Sequence, residues 1–131
     1  MAELGKRANV MGPQPIANRR EMPPAMMEAG AALFELLAGG RLDEVEALAM
    51  PQALTEVLRV TDALRSRVGS SAAHIISYAR SNDHYYVKGK LLSPGAEPFT
   101  AQFRIGPVEG RWMIWEAYNL SGGRTGWSSP A

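Results

Sequence analysis

The sequence predicts an α+β fold, with three N-terminal helices packed on a curved, four-stranded antiparallel sheet. Three observations predict it. Apolar residues recur every three or four positions from Pro24 to Gly69. Beyond Gly69 they recur every second position. The segments of period two are joined by short sets of turn-forming residues. Helices that come first and strands that come last, with hairpin joints, pack as separate layers.

The first helix opens at Pro24, where the missing N–H costs nothing. Met27, Ala31, Phe34 and Leu37, with Leu33 beside them, form its apolar stripe. Met26, Met27 and Met50 read as core or pocket lining, since Met fills irregular gaps. Gly39-Gly40 suits a left-handed helix end. Asp43 is then expected to cap a short second helix, with Glu46 completing a capping box. Pro51 interrupts that helix and opens a third. Its stripe is Leu54, Val57, Leu58, Thr61, Leu64 and Val68, and Gly69 ends it.

The strands are expected at about 72–80, 84–92, 97–105 and 111–120. Their joints are Ser81-Asn82-Asp83, Ser93-Pro94-Gly95-Ala96 and Gly106-Pro107-Val108-Glu109-Gly110. Joints this short make antiparallel hairpins the natural connection. Residues 1–23 show no period and read as a flexible N-terminal arm; the domain runs over 24–122, and 123–131 form a tail.

A chain of 131 residues makes one domain with a real core. It has no cysteine, which removes disulfides, thiol nucleophiles and thiolate metal sites together. Two histidines are too few for structural zinc; no metal site and no cofactor are predicted. A net charge of +1 with scattered basic residues makes no case for nucleic acid. No apolar run is long enough for a membrane-spanning helix. The chain is expected to be cytoplasmic if Met1 is its native start, and exported if a signal peptide was removed.

Strand alternation sorts the faces. Phe99, Ala101, Phe103 and Ile105 form a core set, with Thr100, Gln102 and Arg104 opposite. Tyr85, Val87, Gly89 and Leu91 form another, opposite His84, Tyr86, Lys88 and Lys90. In the last strand Trp112 and Trp115 are three apart, so they diverge. Regular alternation sends Trp112, Ile114, Glu116, Tyr118 and Leu120 toward the helices. It leaves Met113 and Trp115 on the outer face, with Tyr86 and Gln102. A covered Trp buries about 200 Å², worth several kcal/mol at about 25 cal/mol per Å². An outer face carrying Met113, Trp115, Tyr86 and Gln102 is therefore expected to be covered, most simply by a second copy with two-fold symmetry.

The order of elements, the gap "LAGGRLDEVEALA" and the final hairpin "GRWMIWEAYNLSGGR" resemble the nuclear transport factor 2-like superfamily. The last strand of that family often carries a Trp-x-Ile pair after a glycine turn, as Trp112-x-Ile114 does here, and the resemblance covers roughly residues 24–122. The resemblance implies a conical pocket between helices and sheet, and dimers through the outer sheet face. On the register above, Phe34, Tyr85, Phe103, Trp112 and Tyr118 would line that pocket. The family includes isomerases, cyclases and hydrolases as well as non-catalytic binding domains, so fold alone does not settle function. The ketosteroid-isomerase type uses a helix-borne Tyr; residues 24–70 here contain no Tyr, Trp or His.

Glu116 is the leading candidate for chemistry. If it points inward beside Ile114 and Tyr118, burial disfavours its charged form and equips it as an acid or base. Tyr78 and His74 are the other catalytic candidates. Asp83-His84 falls at a hairpin, where solvated polar residues are expected. The favoured expectation is a non-catalytic domain that binds a small apolar ligand or a protein partner and forms a homodimer. The alternative is a small isomerase, cyclase or hydrolase working from Glu116.

Overall fold

The computed structural model describes residues 14–15, 22–66 and 72–121. Three helices precede a four-stranded antiparallel meander and pack on one side of it, as the periodicity predicts. Helix α1 spans Pro24–Ala38, α2 spans Leu42–Glu46, and α3 spans Leu54–Arg65 after a 3₁₀ turn at Pro51–Ala53. A two-residue strand β1, Gln14–Pro15, is followed by β2 (Ala72–Ser81), β3 (His84–Leu92), β4 (Phe99–Val108) and β5 (Arg111–Asn119). The five lie in the order β1-β2-β3-β4-β5, each antiparallel to its neighbour. Within the arm expected over 1–23, the described parts are tied to the domain. Gln14 and Pro15 pair with Arg80 and Ala79, and Met22 is buried in the core. The predicted tail lies outside the described residues.

Helix α1 begins with Pro24 at its first position and ends on the two glycines. Gly40 has φ +75°, the Arg41 N–H donates to the Leu36 carbonyl at 2.9 Å, and the Gly40 N–H donates to the Leu37 carbonyl at 3.2 Å. This is the Schellman closure that a C-terminal glycine permits. The buried face is Met26, Gly30, Leu33, Phe34 and Leu37. The stripe is thus shifted from Met27 and Ala31 to Met26 and Gly30. Gly30 lets α1 approach Val87 closely: an added Cβ would lie 3.3 Å from it.

The capping box expected at Asp43 and Glu46 does not form. Arg41 occupies the N-cap without a side-chain bond, and both acids turn toward Arg65. In α3 the buried set is Val57, Val60, Thr61 and Leu64, while Leu54 is exposed. Val68 and Gly69 lie outside the described residues.

The core forms between α1, α3 and one face of the sheet, from Phe34, Val57, Val60, Val87, Phe103 and Ile114 with their neighbours. The edge of β5 is covered by the chain itself. The Met50 N–H donates to the Ile114 carbonyl and the Ile114 N–H to the Leu48 carbonyl, each at 2.8 Å. The Ala117 N–H donates to the Glu56 carboxylate at 3.3 Å. A sheet edge satisfied in this way is a poor template for another strand.

Two β-bulges set the faces. Ile75 pairs with Gly89 and Ser77 with Lys88, so Ile76 is an extra residue in β2. Arg104 pairs with Glu116 and Ile105 with Ile114, so Trp115 is an extra residue in β5. A bulge reverses the facing of every residue beyond it relative to strict alternation.

Candidate functional site

The reversal at Trp115 relocates the leading candidate. Trp112 packs against the core and Ile114 belongs to it, as alternation predicts, and Trp115 lies on the opposite face. Beyond the bulge the sets exchange. Ala117 joins the core, and Glu116 and Tyr118 turn outward beside Arg104 and Tyr86. The inward placement expected for Glu116 and Tyr118 is therefore corrected.

The outer face carries one connected network. Arg104 Nη1–H donates to Glu116 Oε2 at 2.7 Å, and Tyr86 O–H donates to Glu116 Oε1 at 3.2 Å. Tyr118 O–H donates to the same Oε1. Arg104 Nε–H donates to His84 Nδ1 at 2.8 Å, and its guanidinium lies 5.9 Å from the centre of the Tyr86 ring. The His84 ring packs on Gly106, where an added Cβ would meet it at 2.4 Å. It also lies 4.7 Å from the Trp115 ring, whose Nε1–H donates to the Gly106 carbonyl at 3.3 Å. Alternate positions on neighbouring strands bring these side chains together: His84 and Tyr86 from β3, Arg104 from β4, and Glu116 and Tyr118 from β5.

The electrostatics follow from that packing. Burial pushes the Tyr118 phenol up, and its hydrogen bond and proximity to Glu116 add to the shift. Burial and the nearby Glu116 charge raise Tyr86 in the same way. Burial and the Arg104 charge lower the His84 imidazole, opposed by Asp83 and Glu116. Gln102 is buried on this face, in register with Lys88 and Tyr118, and its Oε1 lacks a hydrogen-bond partner.

The other candidates are not gathered here. Tyr78 faces the helices, buried in the core opposite Val87. His74 is exposed opposite Lys90. The bulge at Ile76 puts the two on opposite faces, whereas regular alternation would put them on one. Phe34 and Phe103 pack edge to face with ring centres 5.6 Å apart, exposed by only 1% and 0%. Tyr85 and Trp112 make a second such pair at 6.2 Å. The residues expected to line a pocket thus form two ring pairs on the core side of the sheet, while Tyr118 is across the sheet from them. Met113, Trp115, Tyr86 and Gln102 share the outer face, as alternation predicted.

His84 and Arg104 were missed as members of a site. One signal pointed to them: opposite charges across neighbouring strands tend to pair. Placing Glu116 opposite Arg104 requires the extra residue at Trp115. Away from the sheet, a depression of about 520 Å³ is lined by Arg41, Asp43, Glu44 and Arg65 among others. Among the described residues, no cluster of three or more His, Cys, Asp or Glu side chains is arranged to hold a metal ion. None of the helices described is long and apolar enough to cross a membrane.

No protein-family model matches the chain, and comparison with curated proteins and with solved structures finds no match.

Proposed function

We propose that this chain is a non-catalytic binding domain of the nuclear transport factor 2-like type, and that it pairs with a second copy through the outer face of its sheet. The observation that carries the reading is the division of labour between the two sheet faces. The face toward the helices is filled: Phe34 and Phe103 interlock, and the Phe34 ring lies where a Gly89 side chain would begin. The aromatic and polar groups that remain for recognition are on the other face, where Trp115, Met113 and Tyr118 are only partly buried. Covering an indole there gains about 25 cal/mol per Å² removed from water. A two-fold axis covers both copies with one patch.

A small apolar ligand on the helix side has less support, since four of the five aromatic rings expected to line its pocket pack in two pairs and Tyr118 lies on the other face. Catalysis from Glu116 in such a pocket loses its geometry, because that carboxylate accepts three donors on the outer face.

Sedimentation velocity over a concentration series tests the proposal. The wild-type chain is expected to sediment as a dimer. Trp115→Glu and Met113→Glu are each expected to give a monomer with unchanged circular dichroism. A wild-type monomer at every concentration, or folded variants that remain dimeric, overturns it.

A further inference from the structure

We infer that His84 and Arg104 form a proton-controlled latch on the outer face of the sheet, closed when the imidazole is neutral and opened when it is protonated. The device is internal to one chain and stands whether or not a second copy covers that face.

The chemistry of the two partners dictates it. A guanidinium has five N–H donors and no acceptor. The ring nitrogen 2.8 Å from Arg104 Nε must therefore be the unprotonated one, and His84 carries its proton on the other nitrogen. Protonation turns both ring nitrogens into donors, so two cations and two donors then face each other. The bond cannot persist. Among the described residues, the groups facing His84 are few. Arg104 comes from β4, Glu116 from β5 and Asp83 from the turn before it; Ser81 stands opposite on β2, and Tyr86 follows on β3. Glu116 is already engaged by Arg104, Tyr86 and Tyr118. Asp83 is exposed, and its charge favours the imidazolium.

The ring is also held sterically. It packs on the Gly106 backbone and against the Trp115 ring, and the Trp115 indole N–H is bonded to the Gly106 carbonyl. A change at His84 is therefore expected to reach Trp115. Burial and the Arg104 charge favour the neutral ring. Its contribution to stability is accordingly present above the ordinary histidine value, ~6.5, and is lost as pH falls below it.

The test is a side-chain ¹⁵N NMR titration of the full chain between about pH 8 and pH 5, which brackets the ordinary histidine range. The expected result is a His84 ring protonated on Nε2 at high pH, with a midpoint below the ordinary value. The Arg104 Nε and Trp115 Nε1 signals should move with that same midpoint. His84→Asn keeps an acceptor oxygen near the Nδ1 position but does not titrate; in it both signals should stay fixed across the range. A His84 tautomer protonated on Nδ1 overturns the proposal. So does a midpoint at or above the ordinary value, or an Arg104 signal indifferent to His84. Movement of the Arg104 signal that persists in His84→Asn overturns it as well.

Discussion

Arg104 and Glu116 stand opposite each other on β4 and β5 and close a 2.7 Å ion pair beside the bulge at Trp115. Each side chain keeps about a quarter of its surface exposed, 27% and 26%. That places the pair between a surface bridge, worth about 0–1 kcal/mol, and a buried one, whose rupture costs about 3–5 kcal/mol. The two halves are not equivalent. Removing the carboxylate strips the acceptor from a guanidinium and two phenols, whereas removing the guanidinium leaves Glu116 with both phenols.

A double-mutant cycle of Arg104→Met and Glu116→Leu, followed by urea unfolding, is expected to show this asymmetry. Glu116→Leu should cost about 1–3 kcal/mol and more than Arg104→Met, with a coupling energy of about 0.5–2 kcal/mol. Additive effects within about 0.3 kcal/mol would mean that the pair contributes no more than two independent surface charges.

Two glycines under aromatic rings should answer differently to the same substitution. A Cβ on Gly89 would lie 2.7 Å from the Phe34 ring, which is enclosed by the core. A Cβ on Gly106 would lie 2.4 Å from the His84 ring, which is partly open to solvent. The geometric clash is worse at Gly106, but the ring there has somewhere to go. Gly89→Ala is therefore expected to cost more, about 2–3 kcal/mol, than Gly106→Ala, about 1 kcal/mol. Pairing Gly106→Ala with His84→Ala should erase most of the penalty. An equal loss in the two glycine variants would contradict this account of which ring can yield.

The layers of the fold were legible because they rest on periods and turn residues. Pro24, Gly39-Gly40 and Pro51 mark real element ends. The joint expected over Gly106-Pro107-Val108-Glu109-Gly110 is shorter than read: β4 runs on to Val108, and the turn is Glu109-Gly110, where Gly110 takes the positive φ that such a turn requires. The divergence of Trp112 and Trp115 was also legible, since both precede or occupy the bulge. The facing of Glu116, Tyr118 and Tyr78 was not. Each lies beyond a bulge, and a single extra residue transfers every later side chain to the other face. Hydrophobicity gave no warning, because Ala117 is small enough to sit on either side. Tertiary partners likewise decided the fate of Asp43 and Glu46: Arg65, about twenty residues on, competes for both against the local helix end.

Glu46 provides the acid-sensitive counterpart to the outer-face network. Thr61 is fully buried, and its hydroxyl donates to Glu46 Oε2 at 2.6 Å; Arg65 Nη2–H donates to the same oxygen at 2.8 Å. The Thr61 bond is the largest influence holding the Glu46 carboxyl below its usual range, aided by Arg65 and opposed by burial. A carboxyl lowered in the folded state contributes stability that is present above its unfolded value and is lost as pH falls through the folded one. Thr61→Val keeps the shape and deletes the donor. It is expected to lose about 1 kcal/mol at pH 7, the worth of a hydrogen bond to a charged acceptor after partial screening. The gap between variant and wild type should then narrow below about pH 4.3, where an ordinary glutamate begins to bind protons. Urea midpoints at a series of pH values measure both quantities. A gap that stays constant from pH 7 to pH 3 would assign the loss to packing at Thr61 instead of to its bond with Glu46.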